Sequence, residues 1–150
     1  MIQIRRYESS DAEAVSKLIR TTMRIANSGD YPMQRLQPLI DYFSPAKVER
    51  LGHERECLVA EEDREIIGTA ALDGDELVTF FVDPGHQGKG VGSALLKELE
   101  AIAVLQGRGE LRIEASLIGA RFYEHHGYRR TGAILDGTAG PQISMRKRLQ

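Results

Sequence analysis

The 150-residue chain has one cysteine, Cys57, and no tryptophan. No apolar run approaches the roughly 18 residues of a membrane span. A lone thiol forms no internal disulfide, so packing alone must hold the fold. The start, Met1 to Tyr7, carries Arg5 and Arg6 and leads into no apolar signal segment. Excess charge is also missing: 20 Lys plus Arg stand against 22 Asp plus Glu, a net charge of −2. A general nucleic-acid binder would need a basic field. The expectation is a cytoplasmic protein with neither membrane nor nucleic-acid partners. What is present is 41% hydrophobic residues, too many for a disordered chain. The length suits a single domain over 1–150, which hides roughly 70% of its unfolded surface.

Ile2-Gln3-Ile4 alternates as a first strand. Ser10 and Glu13 have the spacing of a capping box, and Val15, Leu18, Ile19 and Thr22 follow at helical spacing. Asn27-Ser28-Gly29 signals the end of that helix. Pro32 and Pro38 break the next stretch, which reads as two short helices. The second has Ser44 as N-cap, Pro45 at the first helical position and Gly52 at its end. Three apolar runs then follow, Cys57 to Ala60, Ile66 to Leu72 and Leu77 to Val82. Short polar turns between them imply an antiparallel meander. Gly68 inside a strand marks a bulge or a close neighbour. Val91, Leu95, Leu99 and Ile102 form the stripe of a strong helix, with Lys97, Glu98 and Glu100 facing out and Gly107 stopping it. Leu111 to Ala115 alternates as a strand, Ala120 to His126 is a short helix, and two terminal strands close the chain.

Between the third apolar run and the strong helix lies Asp83-Pro84-Gly85-His86-Gln87-Gly88-Lys89-Gly90-Val91-Gly92-Ser93. Glycines let a backbone turn sharply and approach a ligand. The free N–H groups and positive dipole end of the helix make an anion site. A P-loop fails twice: Asp83 stands where its first glycine belongs, and Gly90 follows Lys89 instead of Ser or Thr. A dinucleotide fingerprint lacks its third glycine, because Ser93 or Leu95 occupies that place. The pattern Gln/Arg-x-x-Gly-x-Gly/Ala fits at every fixed position of Gln87 to Gly92.

That pattern resembles the GNAT superfamily of acetyl-CoA-dependent N-acetyltransferases. Ala115 to Tyr128, with Phe122-Tyr123-Glu124 before Gly127-Tyr128, is similar to the family's second motif. The resemblance implies an α/β (α+β) fold. Its mixed, mostly antiparallel central sheet is flanked by helices in the order β-α-α-β-β-β-α-β-α-β-β. It also implies acetyl-CoA as donor substrate and a small-molecule or peptide amine as acceptor, and it leaves a homodimer open.

By the same resemblance, the backbone amides of Gln87, Gly88, Lys89, Gly90, Val91 and Gly92, with Ser93, hold the pyrophosphate. Phe81 and Val82 pair with the pantetheine arm as an added strand would. Tyr123 takes the place of the acid that serves the departing thiolate. Glu76, eleven positions before Gln87, takes that of a glutamate base, with Glu114 or a water chain as the alternative. Ser116 stands where many members carry asparagine, which puts that contact to the cofactor arm in question. Each residue also has a plain structural reading: a solvated loop lysine, a packing tyrosine, exposed carboxylates. No metal is expected, since His86, His125 and His126 lack ligand spacing. His125 and His126 read as positive caps of the short helix, and Cys57 as an inert thiol. Strand alternation splits Arg146-Lys147-Arg148 between two faces.

The function expected is acetyl transfer from acetyl-CoA to a primary amine. Another acyl-CoA donor, or a non-catalytic CoA-binding sensor, remains an alternative. The acceptor is not legible. Met23 to Arg55 and Asp136 to Pro141 should shape its site, with Asp30, Tyr31, Asp41 and Tyr42 as candidate contacts.

Overall fold

The structure, a computed structural model, describes residues 1–26, 33–137 and 140–149. Its backbone is one seven-stranded sheet in the order β1-β2-β3-β4-β5-β7-β6. The strands are β1 (Gln3–Arg6), β2 (Glu56–Glu62), β3 (Glu65–Asp73), β4 (Glu76–Val82), β5 (Glu110–Ser116), β6 (Arg129–Gly137) and β7 (Gly140–Arg148). Every neighbouring pair is antiparallel except β4 and β5, which run parallel. The meander arises as expected. Asp63 and Arg64, both at positive φ, turn β2 into β3, and Gly74 at φ +65 turns β3 into β4.

Strand alternation builds two cores. Leu58 and Ala60 of β2 face one side, where α4 (Val91–Leu105) and α5 (Ala120–His125) pack with Leu95, Leu96, Leu99 and Tyr128. Cys57 and Val59 face the other side. There α1 (Ala12–Ala26), α2 (Met33–Tyr42) and α3 (Pro45–Glu54) supply Val15, Ile19, Leu36, Ile40 and Val48. Each fully buried leucine contributes about 2 kcal/mol. A Cβ on Gly68 would stand 2.9 Å from Val91 Cγ1, so this glycine lets α4 lie close on β3.

Several local expectations change. Three helices separate β1 from β2, as the helical pattern reads and one more than the family order implies. The reciprocal cap lies earlier than Ser10 and Glu13. Glu8 N–H donates to Asp11 at 2.8 Å, opening a 3-10 turn over Ser9–Asp11 that runs into α1. Asp11 is held there by Arg5, with bonds of 2.8 and 2.9 Å. Pro38 lies inside α2 instead of breaking it, with Leu36 and Ile40 buried around it. Ser44 and Pro45 do start α3, where Ser44 accepts from Lys47 N–H at 3.3 Å. Gly52 does not end that helix, because the Tyr7 ring occupies the space of a side chain there. Glu100 is not simply outward: it accepts from the Tyr128 hydroxyl at 2.7 Å and from Lys147 at 3.1 Å. The expected end of α1 at Asn27 to Gly29 lies outside the described residues. Among those described, no helix is long and apolar enough to cross a membrane.

Candidate active site

β4 leaves the sheet at Val82, and Asp83 anchors the exit. Its N–H donates to Ile67 O at 2.8 Å, and its carboxylate accepts from Gly85 N–H at 3.2 Å. His86 Nδ1 lies 2.7 Å from the same oxygen, so this histidine fastens the turn. Gly88 and Gly90 take φ of +79 and +84 and turn the chain into α4. A Cβ on either would meet nothing within 4 Å, so the loop borders open space. Among the described residues, the backbone N–H groups from Gln87 to Ser93 have no acceptor. These donors stand at the positive end of a 15-residue helix, and Lys89 projects exposed beside them. The residues present therefore fit a pyrophosphate.

Gly92 has a second role. A Cβ there would come within 3.2 Å of the Phe122 ring, so the glycine also lets α5 close against the first turn of α4. Ser93 Oγ lies 3.0 Å from His126 Nε2. Burial, with His125 adding to it, holds the His126 pKa below 6.5. The ring is thus neutral near pH 7, not the positive cap its place at the helix end suggests.

The parallel pair opens directly beside the loop. Among the described residues, β4 and β5 share the single register pair Glu76↔Arg112, and beyond it no strand pairs with this edge of β4. Val82 lies on this open edge, where its carbonyl accepts from the Gln87 side chain at 3.4 Å, while Phe81 beside it is paired with Thr69 of β3. On the other edge, the register with β3 jumps between Thr69↔Phe81 and Ala71↔Val78. Thr79 sits in this bulge at φ +48, a costly conformation for a β-branched residue. Arg55 donates to its hydroxyl at 3.4 Å. The bulge sends Phe80 toward α4 and α5 while Phe81 packs against Phe43 under α1–α3.

Phe80 lines the site with aromatics. Tyr123 is 6% exposed and packs edge-on to Phe80, Phe122 and Tyr128 at 5.9, 5.1 and 5.8 Å. Burial pushes its phenol well above the ordinary value of 10. Its hydroxyl has no hydrogen bond among the described residues, yet it is not a sealed atom. Thr22 Oγ1 is the one sealed, unpartnered side-chain atom among those residues. The phenol oxygen thus keeps a little contact with solvent, and its proton has no acceptor among the described residues. Ser116 Oγ, at the end of β5, accepts from Gly119 N–H at 3.0 Å, which leaves its own proton available.

The two carboxylates differ. Glu76 lies at the joined end of β4 and β5, 3.4 Å from the Arg112 guanidinium. Glu114 lies further along β5, past that pair, and accepts from Ser144 Oγ at 2.9 and 2.7 Å. The acceptor regions also meet. Arg35 of α2 donates to Asp136 at 2.8 Å and to Gly137 O at 3.4 Å. Asp41 takes Gln37 at 2.7 Å, and Lys47 lies over the Tyr42 ring at 4.8 Å. Asp30 and Tyr31 lie outside the described residues. Phe80, Ser144, Arg112 and the His126–Ser93 pair escaped sequence reasoning. Only Phe80, in the run Thr79-Phe80-Phe81, left a local signal.

Residues 53–130, just over half of the chain, match the model of the acetyltransferase (GNAT) domain. The chain belongs to the GNAT acetyltransferase family. The GNAT domain is 26% identical over 128 residues to the uncharacterized N-acetyltransferase YafP of Escherichia coli strain K12, covering 85% of this chain and 81% of that one. In fold it is similar to a GCN5-related N-acetyltransferase from Rhodopseudomonas palustris, with a TM-score of 0.88 at 23% identity, over 98% of this chain and 95% of that one. It is likewise similar to the PaiA N-acetyltransferase of Thermoplasma acidophilum, solved in complex with coenzyme A. There the TM-score is 0.86 at 23% identity, over 99% of both chains. The family uses acyl-CoA, and a GNAT acetyltransferase requires an amine acceptor.

Proposed function

We propose that this enzyme transfers an acetyl group from acetyl-CoA directly to a primary amine, using the loop, the split strands and Tyr123. One observation carries the reading above the rest. A row of unpartnered N–H groups at the foot of α4 adjoins the only unpaired edge of β4, among the described residues.

Acetyl-CoA supplies a thioester carbon open to attack by a neutral amine. The amides of Gln87, Gly88, Lys89, Gly90, Val91 and Gly92, with the Ser93 hydroxyl, hold the pyrophosphate, and Lys89 adds a point charge. Val82, next to Phe81, gives backbone bonds to the pantetheine arm, as a β-strand would. Ser116 donates its free proton to the same arm. Tyr123 keeps its proton because burial raises its pKa. It is therefore a standing donor to the departing sulfur. A carboxylate removes the proton of the attacking amine, directly or through water. Glu76 takes this role by its place before the loop. A specific observation favours Glu114 as the second reading: it lies beyond the last β4–β5 pair, and the side chain that donates to it, Ser144, is neutral.

Acetyl-CoA at about a hundred times its Kd adds about 2.7 kcal/mol of stability, or roughly 5–10 °C in Tm. Thiol release over a panel of amines then reads turnover. No Tm shift with acetyl-CoA or CoA overturns the proposal. Faster release from another acyl-CoA replaces the donor. Binding without release on any amine assigns a CoA sensor instead. Glu76→Gln and Glu114→Gln separate the two carboxylates by which one lowers kcat.

A further inference from the structure

The run Arg146-Lys147-Arg148 divides as alternation requires. Lys147 turns to Glu100 under α4, while Arg146 and Arg148 stand on the opposite face of β7. Register places Arg146 between Arg112 of β5 and Arg129 of β6, and Arg148 opposite Glu110. Like charges directly opposite in a sheet repel. Arg112 is drawn away to Asp75 at 3.0 Å and Glu76 at 3.4 Å. Arg146 takes Glu110 at 2.7 Å, and Arg130 takes Glu124 at 3.1 Å. Arg129 and Arg148 have no carboxylate partner among the described residues.

These side chains line a recess of about 280 Å³ formed by Glu110, Arg129, Arg130, Thr131, Arg146 and Arg148. Glu110 is the one carboxylate in that lining. The chain as a whole carries −2, so this positive cluster runs against its composition. Guanidinium forks bind oxyanions through paired N–H bonds, and such a ligand would relieve the repulsion between them. The recess lies at the start of β5, whereas the glycine loop follows the end of its parallel neighbour β4. The two anion-binding features therefore stand at opposite ends of the sheet.

We propose that this recess is a second anion site, separate from the glycine loop, that binds the multivalent phosphate of a small molecule. Inorganic pyrophosphate is the probe, titrated calorimetrically into the full chain with the loop filled by coenzyme A. Ionic strength is matched with KCl throughout. One saturable event is expected, weakened at least tenfold in the double variant Arg129→Gln, Arg148→Gln. Lys17→Gln with Lys97→Gln removes the same charge elsewhere and should change the affinity less than twofold. An unchanged Tm rise with coenzyme A shows that the arginine variant is folded. If it is not, Arg148→Gln alone replaces it and should weaken binding at least threefold. Equal weakening in the arginine and lysine variants would mean general charge attraction and overturns the site. So does full affinity in the arginine variant, or the absence of saturable binding.

Discussion

The two faces of the sheet are packed with the same kinds of side chains and do different work. On the α4–α5 face, glycines at 68 and 92 bring helices close, and an aromatic group surrounds a hydroxyl that lacks a partner. On the α1–α3 face, the charged and phenolic groups are tied off, and the hydroxyl without a partner among the described residues, Thr22 Oγ1, is sealed from solvent. Asp11 takes Arg5 and Glu8, and the Tyr7 hydroxyl donates to Glu49 at 2.6 Å. The difference teaches where reactivity lies in this fold. A donor sealed in the core, as Thr22 is, can meet no ligand, whereas one beside an open strand edge can.

The largest expected effect tests whether the faces are separable. Leu95→Ala in α4 and Leu36→Ala in α2 should each cost about 3–5 kcal/mol in urea unfolding. Both leucines are at most 1% exposed. Only the α4 change should also weaken acetyl-CoA binding, because α4 carries the loop. Equal loss of binding in both variants would break the comparison.

Next comes a pair of tyrosines on one face. Tyr123→Phe should lower kcat by about a hundredfold with the Kd for CoA unchanged. Tyr128→Phe should instead cost about 2 kcal/mol of stability, since it leaves Glu100 without its phenol donor, and should keep kcat. Loss of stability without loss of turnover in Tyr123→Phe would return that residue to packing.

The Arg5–Asp11 tie should be worth about 2 kcal/mol near neutral pH, read as the difference from Asp11→Asn. Arg5 holds the Asp11 pKa below 3.8. The folded form thus binds its proton less readily than the unfolded chain does. The stabilisation is present above that value and disappears as pH falls through the lower, folded one. A difference that persists in strong acid contradicts the pairing.

The smallest effect is at the bulge. Thr79→Gly removes the cost of positive φ, about 1 kcal/mol, but loses the bond from Arg55. Stability should therefore change by less than about 1 kcal/mol. Any fall in activity should exceed what that change explains, because a looser bulge misplaces Phe80 and Phe81.

Much of the α4–α5 face was legible from sequence because its signals are local. Gln87 to Gly92 lie in one loop, and Phe122-Tyr123 lie in one short helix beside Gly127-Tyr128. The stripe Val91, Leu95, Leu99 is written at helical spacing, and short polar turns announce the meander. The misreadings have a common cause. Gly52 looks like a helix end until Tyr7, distant in sequence, fills its side-chain space. Glu100 looks solvated until Tyr128 and Lys147 reach it from another helix end and strand. His126 looks like a charged cap until burial and the neighbouring His125 lower its pKa.

Sequence alone determined the family resemblance, the meander, the glycine loop before α4 and the place of Tyr123 in its short helix, since each depends on neighbours within a few residues. Tertiary structure decided which donors stay open. It opened β4 from β5 after Glu76↔Arg112 and joined Arg35 to Asp136 across the acceptor regions. It also gathered Arg129, Arg146 and Arg148 on one face. Those arrangements depend on strand register and long-range packing, which fix distances between residues that the chain itself keeps far apart.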